Sequence, residues 1–228
     1  MNPSDPSARS SEAVLATSNP GKLGEIREIL RDLPLALRPL SDFPGVILPE
    51  EGTDYEENAI AKAKAAAQFS DRVALADDSG LEVSGLGGAP GPLSARFGGP
   101  GLGDAERVDA LLAALANCSG EQRRARFVCI AALATPEGDI VTARGECAGQ
   151  ILAAPRGQSG FGYDPVFLVE GIGRAMAEIP ESEKNRISHR ASAFGALSGF
   201  SQIEHRASVP PSAGVQRRGT AFTTRTIA

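Results

Sequence analysis

The sequence has few cysteines, no long hydrophobic run and no excess of positive charge. Its three cysteines, Cys118, Cys129 and Cys147, form no close-spaced pair. That argues against disulfides or a zinc site and favours reduced thiols in a cytoplasmic protein. The longest apolar run, at residues 127–134, is far too short to span a bilayer. The first residues, 1–11, are polar and rich in Ser and Pro, without the pattern of a signal peptide.

The formal net charge of −5 comes from well-mixed cations and anions, so no global field attracts nucleic acid or an anionic membrane. We therefore expect neither as a partner, and a polyanionic ligand requires a local basic cluster. With 228 residues and 42% apolar content, the chain can bury one core, which predicts a single domain of two lobes.

Helical and strand patterns alternate along the chain, which predicts a mixed α/β fold. Strand patterns occur at residues 14–17, 73–76, 125–134 and 140–147, the last two joined by a hairpin turn at 135–139. Helices are predicted after the turn at 17–22, at 53–69 with a capping box at its start, from Asp104, and at 189–200. Residues 208–228 contain adjacent prolines and no apolar period, which predicts a mobile tail.

The turn at residues 17–22 lies between a predicted strand and a predicted helix. It consists of Thr17, Ser18, Asn19, Pro20, Gly21 and Lys22. Such a turn directs backbone N–H groups and the positive end of the helix at one point, which suits a phosphate. It lacks the Gly-x-x-x-x-Gly-Lys-Ser/Thr pattern, so it is not a P-loop. A structural turn with a solvated lysine is the alternative interpretation.

Two adjacent aspartates, Asp77 and Asp78, follow the strand predicted at 73–76, and Gly80 then permits a sharp turn. Because side chains alternate across a strand, we expect the two carboxylates to face opposite ways. Mg²⁺ takes one or two carboxylates from a protein and its remaining ligands from water and substrate phosphates. The acidic loop at 50–52 can supply a second carboxylate. Alternatively, the aspartates only form a turn.

Two later segments suit a planar, anionic ligand. In the loop at 157–165, Phe161 stands between two glycines, where its ring can lie flat against a nucleotide base. The stretch at 183–190 contains Lys184, His189 and Arg190, which can donate to phosphate or to carbonyl oxygens on a base. Ser188 is placed to cap the last helix. A loop with Phe161 tucked beneath it and a solvated basic helix start are the alternatives.

Taken together, these segments resemble the Ham1/inosine triphosphate pyrophosphatase family. The matching stretches are 17–22, 50–58, 76–81, 87–96, 161–165 and 183–190, in one colinear order. The resemblance implies a mixed α/β fold with a long central β-sheet flanked by helices, two lobes with a substrate cleft between them, and a homodimer. It predicts a catalytic domain at residues 12–205, between a disordered extension at 1–11 and the mobile tail at 206–228.

The activity that the resemblance implies is Mg²⁺-dependent hydrolysis of ITP, dITP and XTP to the monophosphate and pyrophosphate, which keeps these nucleotides out of DNA and RNA. Residues 17–22 would then hold the triphosphate, and Ser79 would contact a phosphate or the sugar. Asp78 would be the general base and a metal ligand, with Glu50 as the second metal ligand. The residues implied for the base pocket are Phe161, Gly162, Tyr163, Asp164, Lys184, His189 and Arg190. A pyrophosphatase for pyrimidine or modified nucleotides and a non-hydrolysing nucleotide-binding regulator are the rival functions.

Overall fold

The computed structural model describes residues 11–198 and 223–227. In these residues an eight-stranded mixed sheet is flanked by helices, which confirms the predicted fold class. The strands are β1 (Ser11–Leu15), β2 (Leu35–Pro39), β3 (Val73–Val83), β4 (Pro90–Gly91), β5 (Arg124–Ala134), β6 (Asp139–Ile151), β7 (Phe167–Val169) and β8 (Thr223–Ile227). The helices are α1 (Pro20–Ile29), α2 (Tyr55–Ser70), α3 (Asp104–Ala114), α4 (Glu181–Ile187) and α5 (His189–Ser198).

The strand order is β2-β1-β3-β5-β6-β7, with β4 beside β3 and β8 beside β6. Strand β1 is parallel to both β2 and β3, whereas β3, β5 and β6 are joined by long antiparallel ladders. The β5–β6 hairpin turns at residues 135–139, as predicted, and Thr135 N donates to Asp139 O at its base. These three long strands form the centre of the sheet.

Helix α2 lies flat on one face of the sheet because its buried side is made of alanines. Ala59, Ala63, Ala66 and Ala67 are fully buried against β1, β3 and β5. The side chain of Asp54 caps the helix by accepting a hydrogen bond from Glu57 N at 2.9 Å, so the cap lies one residue later than predicted. Helices α1 and α5 cover the opposite face, and a third cluster fills the far end of the sheet around β7 and α3.

The turn predicted at Gly80 is wrong, because β3 continues without interruption to Val83. A Cβ atom on Gly80 would lie 2.0 Å from the carbonyl oxygen of Gly91 on β4. The glycine is therefore required by the close approach of a neighbouring strand. Both aspartates consequently lie in the middle of a strand, where the alternation of side chains is strict.

The structure also differs from the expectation of an unstructured C-terminal tail. Thr223–Ile227 form β8, which pairs in parallel with the first residues of β6. The rest of the predicted tail, the end of the helix predicted at 189–200 and residues 1–10 of the extension predicted at 1–11 lie outside the described residues. Ser11, the last residue of that predicted extension, instead begins β1. Within the described part of the chain, no helix combines the length and apolarity needed to cross a membrane.

Candidate active site

The turn predicted to hold phosphate joins β1 to the N-terminus of α1. Asn19 caps the helix through Oδ1, which accepts from Lys22 N at 3.1 Å, and Thr17 Oγ1 accepts from Asn19 N at 3.2 Å. Pro20 occupies the start of the helix, where its missing N–H has no intrahelical acceptor to lose. Ser18 and Asn19 are exposed, so the positive end of α1 is accessible to a ligand.

Asp77 points to the face of the sheet that carries α1 and α5. Its Oδ2 lies 3.1 Å from Lys22 Nζ and 3.3 Å from both Nε and Nη2 of Arg190. Burial raises the pKa of Asp77, but Lys22, Arg190 and Lys62 outweigh burial and hold that pKa well below its usual range. Lys22 is therefore tied to the sheet, and the interpretation of a solvated lysine does not describe it.

Asp78 points to the opposite face, beneath α2, which confirms that the two carboxylates face opposite ways. Asn58 Nδ2 donates to its Oδ2 at 2.8 Å, and Lys62 Nζ donates to its Oδ1 at 3.2 Å. Burial raises the pKa of Asp78, and the opposing effects of Lys62, Asn58 and Lys22 do not cancel this rise. A carboxylate with a raised pKa is a better proton acceptor near neutral pH than an ordinary aspartate.

Lys62 connects Asp78 to the acidic loop that precedes α2. Its ammonium lies 2.6 Å from Glu51 Oε1, and Arg96 Nη2 lies 3.3 Å from Glu51 Oε2. Burial alone would lower the pKa of Lys62, but Asp77 and Asp78 raise it, so this cation stays charged. Glu51 and Asp78 are thus brought together by one shared cation. Glu50, the predicted second metal ligand, is exposed on the same loop.

Arg190 lies at the start of α5 and is fully buried. Besides Asp77, it contacts Glu25 of α1 through Nη1 and donates from Nη2 to Ser79 Oγ at 2.8 Å. Ser188 caps α5 as predicted, because its Oγ accepts from Ala191 N at 3.1 Å. Asp77 and Glu25 raise the pKa of Arg190 despite its burial. Arg190 of the predicted basic cluster thus belongs to a buried network and not to a solvated helix start.

Lys184 of α4 joins the same network from the other side of Glu25. Its Nζ lies 2.7 Å from Glu25 Oε1 and also contacts Asp164 Oδ2. Asp164 in turn accepts from Phe161 N at 2.9 Å. Burial lowers the pKa of Lys184, but Asp164 and Glu25 reverse this and raise it. A charged ammonium is therefore held directly beneath the aromatic loop.

The ring of Phe161 lies between this ammonium and the phosphate-type turn. Lys184 Nζ is 4.9 Å from the ring centroid, and a Cβ atom on Gly21 would lie 2.6 Å from the ring. The ring is only partly buried, and Arg190 Cζ also lies 5.9 Å from its centroid. The structure therefore brings the predicted stacking residue against the predicted triphosphate turn.

Gly162 and Tyr163 anchor this loop to its surroundings. Gly162 N donates to Asp104 Oδ2 at 2.7 Å, and the Tyr163 hydroxyl donates to the carbonyl oxygen of Ser94 at 2.8 Å. Burial raises the pKa of Tyr163 to about 12. Tyr163 is buried, so its contacts support the loop that carries Phe161.

His189 is packed inside the protein beside Arg190. Its ring stacks on Phe127, with centroids 4.8 Å apart and an interplanar angle of 16°, and its Nδ1 has no hydrogen-bond partner among the described residues. Burial and the charge of Arg190 lower the pKa of His189 well below its usual value, so the imidazole is neutral. A neutral imidazole with an unsatisfied nitrogen can still form one hydrogen bond with a ligand.

The sequence matches the Ham1 family over residues 13–200. The chain belongs to the Ham1 family. A dITP/XTP pyrophosphatase from Thermus thermophilus is 48% identical over 189 residues, which cover 83% of this chain and 91% of that relative. A dITP/XTP pyrophosphatase from Desulfotalea psychrophila is 46% identical over 187 residues, covering 81% and 82% of the two chains.

Solved structures of Ham1 proteins share the fold. The Ham1 protein of Coxiella burnetii has a TM-score of 0.76 and 42% identity, covering 84% of this chain and 98% of its own. The Ham1 protein of Staphylococcus aureus has a TM-score of 0.75 and 37% identity, covering 85% and 99%. Strand β8 lies beyond the residues that match the Ham1 family.

Three residues of this Ham1 site were not singled out from the sequence: Glu25, Asn58 and Lys62. All three carry a signal in their spacing. Asn58 and Lys62 stand four residues apart on α2 and so share one helix face, and Glu25 follows Lys22 by three residues on α1. A charged residue on the buried, alanine-rich side of a helix indicates a buried partner, here Asp78. Glu51 lies in the acidic loop at 50–52, which was predicted to supply a second carboxylate, and it contacts Lys62.

Proposed function

We propose that this protein hydrolyses the deaminated purine nucleoside triphosphates ITP, dITP and XTP to the monophosphate and pyrophosphate, in the cytoplasm, and so keeps them out of DNA and RNA. The observation that carries the proposal is Asp78. It is a buried carboxylate of raised pKa, one residue from the aspartate that fixes Lys22 in the phosphate-type turn. The names of the similar curated proteins, dITP/XTP pyrophosphatase, agree with this assignment.

The triphosphate binds, in this proposal, at the exposed turn before α1. The positive end of the helix dipole and the ammonium of Lys22 offer positive charge to the phosphate oxygens. Lys62, which stays charged, contacts Asp78 on the opposite face of β3 from Lys22 and Asp77. Phosphoanhydride hydrolysis depends mostly on positioning and charge neutralisation, which these groups supply.

Asp78 accepts the proton of the attacking water. The water oxygen forms a bond to the α-phosphorus, the bond from that phosphorus to the bridging oxygen breaks, and pyrophosphate leaves with that oxygen. Asn58 and Lys62 hold the two carboxylate oxygens in place, so the direction of proton transfer is fixed before substrate arrives. General-base catalysis of this kind contributes about 10²–10⁴ in rate.

The carboxylates around Lys62 suit Mg²⁺. Glu51 and Asp78 share one ammonium, so two hard oxygen donors lie near the proposed phosphate position. Among the described residues no group of three or more His, Cys, Asp or Glu is placed to hold a metal. That fits an ion that takes one or two carboxylates and completes its shell with water and phosphates. Because Glu51 already pairs with Lys62 and Arg96, we assign Asp78 and Glu50, which is exposed on the same loop, as its ligands. When bound, Mg²⁺ supplies charge neutralisation at the phosphate oxygens.

The base is recognised, in this proposal, by Phe161 together with the buried donors that lie beside its ring. Hypoxanthine and xanthine carry a carbonyl where adenine carries an amino group, so donors favour the deaminated bases. Lys184 and Arg190 are held charged by Glu25, and Phe161 offers a ring for stacking. A site built to hydrogen-bond one group strongly rejects an analogue that leaves its buried polar groups unpaired. The protein acts as a homodimer in this proposal, as the family resemblance implies.

The test is product analysis with the intact protein and Mg²⁺. We expect pyrophosphate and the monophosphate from dITP, ITP and XTP, with kcat/KM for dITP at least about 10²-fold above that for dATP. dUTP and dTTP, which probe the pyrimidine alternative, should be poor substrates. Release of inorganic phosphate, equal turnover of dATP, or binding without turnover would contradict the proposal.

A further inference from the structure

The outer edge of β6 is covered by two different strands. Toward its end, Gly149–Ile151 pair with β7, whereas its beginning, Asp139–Ala143, pairs in parallel with β8. The register is continuous over five residues, from Asp139 opposite Thr223 to Ala143 opposite Ile227. An edge strand without such a neighbour presents unpaired N–H and C=O groups and readily accepts another extended segment.

The segment that occupies this edge lies outside the family domain. The Ham1 match ends at residue 200, and β8 begins at Thr223. Every residue of β8 except Arg225 is β-branched, the composition that favours an extended strand. The local sequence therefore fits the strand that the structure shows, although the surrounding tail contains no apolar period.

A side-chain contact connects this strand to α2. Thr226 Oγ1 lies 3.1 Å from Glu56 Oε1, and Thr142 Oγ1 of β6 lies 2.7 Å from the same oxygen. Glu56 Oε1 therefore accepts a hydrogen bond from each of the two hydroxyls, which are 3.2 Å apart. Glu56 lies in the first turn of α2, where a carboxylate is also favoured by the helix dipole.

The same helix orients the proposed catalytic base. Asn58 follows Glu56 by two residues and donates to Asp78, and Lys62 contacts Asp78 one turn later. Movement of the first turn of α2 would therefore move the groups that hold the Asp78 carboxylate. The contact at Thr226 is thus connected to Asp78 through a single rigid element.

We propose that the outer edge of β6 from Asp139 to Ala143 is a strand-docking surface, that its occupant is this chain's own C-terminal strand, and that docking fixes the start of α2 and thereby positions Asp78. Thr226 and Glu56 are positioning residues in this arrangement. The link to Asp78 rests on the proposed function, whereas the docking itself does not.

Docking is tested by hydrogen exchange on the full chain and on a chain that ends at residue 222. Those amides of residues 139–143 that point toward β8 should exchange at least about tenfold faster in the truncated chain, because their hydrogen-bond acceptors are lost. The amides of the same residues that point toward β5 should change less. Amides of residues 149–151, which β7 covers, are the internal control and should not change. Equal exchange at 139–143 in both chains would overturn the docking. A dimer that becomes a monomer on truncation would assign the strand to a second copy and overturn the proposed occupant.

The link to Asp78 is tested with Thr226→Val, matched by Thr226→Ser, which keeps the hydroxyl. With dITP, Thr226→Val should lower kcat about threefold to tenfold, leave KM within about twofold, and shift the acid limb of the pH profile, whereas Thr226→Ser should retain all three. An unchanged kcat and pH profile in Thr226→Val would overturn the link. If the intact protein releases no pyrophosphate from dITP, the proposed function fails, while the exchange result still decides the docking.

Discussion

The two faces of β3 place adjacent, chemically identical side chains, Asp77 and Asp78, in different electrostatic environments. Asp77 is fully buried and contacts two cations, Lys22 and Arg190, which hold its pKa far below the ordinary value. Asp78 is also buried, but among the described residues its ion-pair partner is Lys62 alone, a cation that it shares with Glu51, and its pKa is raised.

The difference shows that burial alone does not set the role of a buried carboxylate. Lys22 and Arg190 together outweigh the cost of removing Asp77 from water, so this side stays ionised and holds the structure together. One shared cation and one amide do not outweigh that cost for Asp78, so this side retains a carboxylate able to accept a proton. The strand thus carries a structural charge on one face and a reactive one on the other.

The largest expected effect is on the Asp78 side. Asp78→Asn keeps the shape of the side chain and removes its basicity, so kcat for dITP should fall by about 10²–10⁴. The free energy of unfolding should change by less than about 1 kcal/mol, because Lys62 retains Glu51 as a partner. Pyrophosphate release and urea unfolding measure the two effects, and calorimetric titration checks that nucleotide binding remains. Near-normal turnover would make Asp78 structural and reverse the comparison.

Substitution of Asp77 should mainly lower the free energy of unfolding. Asp77→Asn removes the carboxylate that Lys22 contacts and leaves Arg190 with Glu25, and breaking a buried ion pair by removing one partner typically costs about 3–5 kcal/mol. Urea unfolding of this variant, with Asp78→Asn as the matched control, tests the assignment. If the two variants lose equal stability, the two faces do not differ as we describe.

A smaller effect, on the choice between ITP and ATP, should distinguish a residue that contacts the phosphates from one that contacts the base. Lys22→Ala should weaken all triphosphates alike, because Lys22 lies at the turn before α1. Lys184→Ala should lower the ratio of kcat/KM for ITP to that for ATP by about tenfold, because Lys184 lies beneath Phe161. The ratio does not depend on the fraction of protein that is folded. Equal loss of both substrates in both variants would make Lys184 a phosphate ligand.

The sequence predicts the site well where local rules apply. Alternation along a strand separates Asp77 from Asp78, and the turn at 17–22 between a strand and a helix follows from its polar residues, Pro20 and Gly21. The hairpin between β5 and β6 follows from its turn residues. Each of these features depends on neighbours within a few positions of the chain.

Features that depend on distant partners were not predicted. Gly80 signals a turn by its type, but it is required by the carbonyl of Gly91, which only the folded sheet brings near. Lys62 is inconspicuous in an alanine-rich helix until Asp78 is placed beneath it. Residues 223–227 were expected to belong to the mobile tail, because backbone pairing with β6 produces no apolar periodicity in the sequence.

The pH dependence of kcat/KM for dITP tests the central claim most directly. If Asp78 is the base, activity should fall as pH drops through its pKa, with a midpoint above the ordinary 3.8, since burial disfavours the charged form. In Asn58→Ala the midpoint should move to higher pH, because the hydrogen bond that stabilises the carboxylate is lost. A rate that does not change with pH until the protein unfolds, or a midpoint unaffected by Asn58→Ala, would contradict the assignment of Asp78 as the base.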